Sequence, residues 1–379
     1  MESFFSSLYV HVPFCIKKCK YCSFYSEPYE KFLESLYVEA LVKEIEITKK
    51  IDHHIKTIYI GGGTPSCLSI KALEKILSAL IENYKIQENV EFSIEVNPST
   101  VSTEKLNLFR EFGVNRISIG IQSFFDNELK ILGRLHNHKD AFKVLKTVIN
   151  SGFENVSVDL IYGIPYQTIT NFINSIKIAT SFSIKHISLY ELSIEKGTQL
   201  EKDLKKGKIN ILNENDIEKM YLTVSEYLEN KGFQKYEISN FAYKGFECKH
   251  NLAYWMRIPY LGLGPSAHSF MFNKRFHNPS NIISYAKIKE KNRTVWIEDY
   301  IVTPHDEIKE KIFLGMRMKK GLTIKNPCLI EFFMEFYNEG LIELKDNRVK
   351  LTDKGMLVSN EIFVQVISHI ENCPVCKQV

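Results

Sequence analysis

The stretch "HVPFCIKKCKYCSF", residues 11–24, puts three cysteines into eight positions, at Cys15, Cys19 and Cys22. They follow directly on a short apolar run, "LYVHV" (8–12), so the thiols sit where a strand ends. In parallel α/β folds that is the end at which the chemistry is placed. A structural zinc site usually takes four protein ligands. Three thiolates suit a four-iron cluster better, provided one iron is left open for a ligand that reacts, because a ferredoxin closes every iron with cysteine. A zinc loop completed by a remote fourth ligand, His11 or Cys67, is the alternative.

Outward from this loop, short β-type runs alternate with longer amphipathic stretches. The runs after the first are "TIYIG" (57–61), "VEFSIEV" (90–96), "RISIGI" (116–121), "VSVDLIYG" (156–163) and "HISLYELS" (186–193). Helical patterns begin at Tyr29, Ser69, Ser102, His138 and Thr168, with hydroxyl N-caps at Ser69 and Ser102 and C-cap glycines at Gly113 and Gly152. Near-continuous apolar strands alternating with helices predict a parallel sheet covered by helices. Six such units make either an open partial barrel or a doubly wound sheet. Beyond about residue 200 the rhythm breaks. An aromatic and Gly-rich segment spans 241–280, and the last stretch predicts helices followed by two strands around an Asp-Asn turn, "GLIELKDNRVKLTDKG" (340–355). The expected division is a core over 1–235, a connecting region over 236–290 and a small helical, winged-helix-like domain over 291–379.

The bulk numbers exclude several classes. At 379 residues the chain is long for one domain. Its 44% apolar and 25% charged content is that of an ordinary globular protein. A net charge of +4 is too mild to argue for nucleic acid, and the wing-like "ELKDNRVKLTDKG" carries mixed charge where a binding face should be basic. Eight cysteines are too sparse for a secreted disulfide scaffold. With no targeting features at the start of the chain and no apolar run of about 18 residues, these features predict a cytoplasmic protein whose clustered cysteines hold metal.

Further polar residues stand at later strand ends. "YIGGGTPS" (59–66) places three glycines after the second strand, where backbone can approach a ligand closely or simply turn. Glu95 and Asp159 lie within the third and fifth runs, and Gln122 and Arg134 come after the fourth. Each alone could be a structural ion pair; together they point to a shared cleft.

The C-x3-C-x2-C spacing resembles the signature of the radical S-adenosylmethionine superfamily. The surrounding strings are most similar to the branch that contains oxygen-independent coproporphyrinogen III oxidase and its haem-chaperone relative, HemW. The resemblance implies a (β/α)6 partial barrel with a small C-terminal domain, and a [4Fe–4S] cluster on Cys15, Cys19 and Cys22. It implies that S-adenosylmethionine binds the open iron and is cleaved by one electron. Tyr9, Gly62, Gly63, Thr64, Glu95, Gln122, Arg134 and Asp159 would contact that nucleotide, with Tyr21 near the cluster and adenine. An electron donor such as a flavodoxin or ferredoxin is implied too. Lys17, Lys18 and Lys20 either dock such a partner and offset cluster charge, or form a solvated face.

Two features separate the branches. The oxidases carry a fourth cysteine two positions after the third; here Ser23 and Phe24 follow Cys22. "HNLAYW" (250–255) matches the H-N-x-x-Y-W motif of the haem-chaperone group, in which the histidine is the proposed haem ligand. His250 is thus the candidate haem ligand, since imidazole is a common axial ligand and aromatics can pack on a porphyrin. The alternative is a structural histidine in an aromatic cluster with Tyr254, Trp255 and Tyr260. The favoured expectation is a carrier of haem that serves haem-accepting proteins, and the second an oxidase that decarboxylates coproporphyrinogen III. "YLGLGPSAHSF" (260–270) has a G-x-G pattern without a helix after it and is read as a turn. In the tail, His369, Cys373 and Cys376 echo the loop spacing; they could bind zinc, or haem iron through Cys373, or form a frayed end. Cys67, Cys248 and Cys328 carry no readable pattern.

Overall fold

The computed structural model describes residues 4–373. Its first six long strands are β1 (Phe5–Val12), β2 (His53–Gly62), β3 (Ile86–Val96), β4 (Arg116–Gln122), β5 (Asn155–Tyr162) and β6 (His186–Glu191). They are hydrogen-bonded in chain order, every neighbour parallel. A doubly wound sheet reverses its order at a switch point; this one does not. Right-handed crossovers therefore bring the helices between them to one face. These are α1 (Lys31–Thr48), α2 (Ile70–Asn83), α3 (Thr103–Glu111), α4 (Asp126–Leu132), α5 (His138–Asn150) and α6 (Ile169–Thr180). The architecture is α/β, a partial (β/α)6 barrel.

The expected caps are present. Ser69, Ser102 and Thr168 each accept a backbone N–H from the first turn of their helices, and Gly113 and Gly152 end helical turns at φ 79° and 83°. The strands are less uniformly apolar than expected. Ile117, Ile119 and Ile121 of β4, and Val156, Val158 and Leu160 of β5, are fully buried against the helical layer. The intervening residues are polar or small (Ser118, Gly120, Gln122; Ser157, Asp159), so the period is two and the inner face of the barrel is polar. Each buried aliphatic side chain contributes roughly 1.5–3 kcal/mol, which holds the outer face firmly enough to carry that polar lining.

The sheet does not stop at six strands. After β6 come α7 (Gln199–Lys205) and α8 (Glu214–Asn230), then β7 (Gln234–Lys235) and β8 (Asn240–Ala242), the latter antiparallel to β6. Past α9 (Lys249–Trp255), β9 (Tyr260–Leu263) returns to the opposite edge and pairs in parallel with β1 from Ser7 to Val10. Strands β10 (His268–Met271), β11 (Lys274–His277) and β12 (Ile297–Ile301) extend it to twelve. The stretch 236–290, expected as a connecting region, thus supplies strands to both edges. Pieces of two to five residues show no readable alternation. The stretch 260–270, expected as a turn, is instead the end of one strand and the start of the next, Tyr260–Leu263 and His268–Met271, with the turn confined to the residues between them and Gly264 at φ 93°.

Glu44 of α1 braces this junction. Its buried carboxylate accepts from Gly264 N (2.9 Å), Asn278 Nδ2 (2.8 Å) and Tyr285 Oη (2.6 Å). The C-terminal module packs α10 (Pro304–Met316), α11 (Pro327–Asn338) and α12 (Ser359–Asn372) with a hairpin. That sheet comprises β13 (Leu322–Thr323), β14 (Ile342–Lys345) and β15 (Arg348–Leu351), and Asp346 and Asn347 make the turn at φ 50° and 61°.

Replacing Glu44 by Ala strands three buried donors. We expect a loss of about 3 kcal/mol in a urea melt. Glu46→Ala, on the exposed side of the same helix, should stay within about 0.5 kcal/mol of wild type.

Candidate cofactor cleft

A cleft of about 500 Å³ opens at the C-terminal ends of the barrel strands. Cys15, Cys19 and Cys22 line one side, and Tyr59, Glu95, Gln122 and Asp159 line the polar interior. The cysteine loop is tied at several points. Phe14–Cys15 pairs with Glu27–Pro28, and Lys20 donates its N–H to Leu132 O (2.9 Å) while its carbonyl accepts from Leu200 N (2.8 Å). The Lys20 ammonium also reaches Asp203 on α7 at 3.0 Å. The glycine loop closes against the loop's entry: Gly63 N donates to Val12 O at 2.8 Å, and a Cβ on Gly63 would lie 2.5 Å from Phe14 O. Gly62 holds φ 110°, which side chains rarely adopt. The glycines thus bring two strand ends together as well as lining the cleft.

The polar lining is arranged for recognition. Arg134, just past the end of α4, donates from Nη1 to Cys19 Sγ at 3.3 Å and from Nη2 to Gly120 O at 2.6 Å. Thr64 Oγ1 lies 3.6 Å from Cys15 Sγ. Burial raises the Cys15 and Cys22 thiols, opposed at Cys15 by the Thr64 hydroxyl and Arg134. Glu95 is pushed up to about 7, first by burial and then by the Asp159 charge, although Tyr59 Oη (2.8 Å) and Gly62 N (3.3 Å) donate to it. Asp159 is likewise raised by burial while Ser118 Oγ lies 3.1 Å from both of its oxygens. Gln122 sits at φ 70° where the β4–β5 register shifts, a conformation costing about 1–3 kcal/mol. Its Oε1 and the Nε of Arg134 are buried without a partner, one acceptor and one donor. Such orphans are costly unless something else completes them. Three thiols, a strained amide and a guanidinium on one cleft therefore fit a thiolate-held cluster with a polar ligand beside it.

Of the residues expected on this cleft, Tyr21, Gly62, Gly63, Thr64, Glu95, Gln122, Arg134 and Asp159 line it with the three cysteines. Tyr9 does not. It is on the inner face of β1, but its hydroxyl meets His11 Nδ1 at 3.0 Å. His11 Nε2 is engaged by Tyr25 O (3.1 Å), and Cys67 Sγ is directed at Phe14 O with its thiol pushed up to about 12 by burial. Neither fourth zinc ligand considered for the loop is presented to it. Tyr59 and Tyr190 also line the cleft and went unread. The alternation of "TIYIG" and "HISLYE" would have placed both on the inner face. Lys17 lines the rim beside the exposed Ile16 and Phe24, and Lys18 Nζ donates to Phe24 O (2.8 Å).

His250 lies elsewhere, 1% exposed near the start of α9. Its Nδ1 meets Thr57 Oγ1 at 2.8 Å, its Nε2 meets Tyr254 Oη at 2.9 Å, and its ring stacks on Tyr59 at 5.2 Å. Glu91 from β3 accepts from Lys249 N and His250 N, both at 2.9 Å, so a carboxylate caps the motif helix. Burial lowers His250 to about 3, keeping the imidazole neutral. His369 and Cys373 are in the C-terminal module and do not line the cleft; Cys376 is outside the described residues.

Comparison with known proteins agrees with this layout. Residues 9–179 match the profile of the Radical SAM superfamily. Heme chaperone HemW of Bacillus subtilis is 35% identical over 376 residues, covering 94% of this chain and 98% of that protein. Heme chaperone HemW of Synechocystis is 33% identical, covering 97% of each chain. The solved structure of Escherichia coli coproporphyrinogen III oxidase (HemN), a radical SAM enzyme, superposes with a TM-score of 0.84 over 97% of this chain and 91% of its own. At 21% identity that likeness establishes the fold.

The Glu95 environment has a pH signature. Its folded pKa lies above its ordinary value, so its contribution is most favourable below about pH 4.5 and is lost as pH rises toward about 7. In the cluster-free protein, thermal melts should show Glu95→Gln gaining stability relative to wild type across that window and holding the gain above it. A difference independent of pH would place the Glu95 carboxyl in ordinary solvent.

Proposed function

The chain belongs to the HemW family of haem chaperones within the Radical SAM superfamily, and we propose that it acts as one: it carries a [4Fe–4S] cluster, binds S-adenosylmethionine, and holds haem for delivery to haem-accepting proteins. The observation that carries the reading is the single cleft lined by three loop thiols and by the unpartnered Gln122 Oε1 and Arg134 Nε. Cys15, Cys19 and Cys22 would hold three irons of the cluster, leaving the fourth for the nucleotide. When bound, the cluster supplies one electron at the sulfonium.

The chain's own residues do the rest. Arg134 sets positive charge beside Cys19, its Nη1 donating to the sulfur at 3.3 Å. Glu95 would accept from ribose hydroxyls, Gly62, Gly63 and Thr64 would receive the amino group, and Gln122, Asp159 and Tyr21 would complete the walls. Lys17 and Lys18, beside exposed Ile16 and Phe24, face an acidic donor of the flavodoxin or ferredoxin kind. Haem ligation falls to His250, whose neutral imidazole is the form that ligates iron. Its Nε2 becomes available when Tyr254 turns away. The neighbouring hollow lined by Tyr254, Trp255, Arg257 and Arg275 measures about 240 Å³, so haem entry widens it. The oxidase reading is second: Phe24 stands where that branch has its fourth cysteine, at the rim of the cleft.

Anaerobically reconstituted protein should form no protoporphyrinogen from coproporphyrinogen III with S-adenosylmethionine and reductant, while haem titration gives a shifted Soret band. Product over many turnovers would make it an oxidase. His250→Ala should weaken haem binding at least about tenfold, near 1.4 kcal/mol, whereas Tyr254→Phe should keep or tighten it. Equal affinity of wild type and His250→Ala would move the ligand elsewhere.

A further inference from the structure

The C-terminal module brings together three soft donors that the cleft does not use. Cys328 stands in the first turn of α11; His369 stands in the last turn of α12, and Cys373 caps that helix. Residues four apart share a helix face, so His369 and Cys373 are presented side by side. Cys328 Sγ lies 3.4 Å from His369 Nε2 and 3.1 Å from Cys373 Sγ. All three donor atoms fall within 4.8 Å of one another, and all three residues are half-buried, within reach of an ion from solvent. Phe332, one turn beyond Cys328, stacks on the His369 imidazole at 4.2 Å and 16°, fixing the ring plane with Nε2 toward the thiols.

We propose that Cys328, His369 and Cys373 bind a zinc ion that pins the last helix to α11, at a second metal site separate from the cleft. Zinc bonds of about 2.3 Å to sulfur and about 2.0–2.1 Å to nitrogen set tetrahedral neighbours roughly 3.6–3.8 Å apart. Cys328 Sγ stands about 0.2 Å closer to His369 Nε2 and about 0.7 Å closer to Cys373 Sγ than this, an opening that side-chain rotations supply. Thiolate and imidazole together suit zinc, whereas carboxylate and carbonyl sets suit magnesium or calcium. Haem is the poorer match, because a porphyrin takes axial ligands along one line and has no use for three donors converging on one point.

The test uses the full chain with Cys15, Cys19 and Cys22 changed to Ser, so that the cleft offers no thiols. Purified anaerobically and titrated with cobalt(II), it should bind one equivalent and develop the intense visible bands of a tetrahedral cobalt–thiolate site. Zinc should then displace the cobalt and bleach those bands. Cys328→Ser and His369→Ala on that background should each weaken cobalt binding at least tenfold. Cys373→Ser, at the end of the last helix, gives the same readout with little risk to folding. In the parent, a strong chelator should lower the melting temperature; with Cys373→Ser it should not. Cobalt bound without thiolate bands, affinity unchanged by these substitutions, or a Cys328–Cys373 disulfide in the anaerobic protein would each overturn the proposal.

Discussion

Strand β1 is paired in parallel on both edges, with β2 on one side and β9 on the other, and the cleft depends on that arrangement. The cysteine loop leaves the C-terminal end of β1, so whatever fixes β1 fixes the thiols. On the β2 side, Gly63 N bonds to Val12 O at 2.8 Å. On the β9 side, a Cβ on Gly264 would lie 2.5 Å from His11 O, a fit that only glycine allows. Glu44 bonds the returning chain just beyond β9, at Gly264, Asn278 and Tyr285. A buried carboxylate with three donors is costly to disturb, which suits it to a joint that must not slip.

The inner face of the barrel runs against the stability of the fold. Glu95 and Asp159 are both raised by burial, and the Asp159 charge raises Glu95 further. Gln122 is strained and Arg134 Nε lacks a partner. Local rules broken together in one place mark a functional site. A ligand that completes these groups returns that free energy as folding stability, since anything bound only by the native state stabilises it. The apolar outer faces of the same strands make this tolerable, because alternation lets one strand serve both purposes.

What could be read in the sequence was local. The cysteine loop, the six strands, the hydroxyl caps at Ser69 and Ser102 and the Asp-Asn turn each depend on residues a few positions apart. Seven of the eight residues expected to touch the nucleotide, and Tyr21, line one cleft with the cysteines, because strand-end position follows from chain order in a sequential barrel. What escaped was long-range. Nothing near Tyr260 announces that it pairs beside Ser7, and two-residue strands have no period to detect. Cys328 looked patternless because its companions are about forty residues away, across a packed hairpin. His250 shows the opposite limit: the motif is local, but whether its ring faces a cavity or Thr57 and Tyr254 is decided by β2 and β3.

The β1–β9 pairing also bears on when the protein can become competent during synthesis. Residues that meet across some 250 positions close one of the longest loops in the chain, and such contacts form late. While the nascent polypeptide is still shorter than residue 263, β1 has one bare edge and the Glu44 carboxylate lacks its donors. The thiols, encoded among the first twenty-two residues, emerge early and wait. Completion of the cleft is therefore tied to the last third of translation, and a ribosome stalled before that point leaves three exposed cysteines on an unfinished sheet.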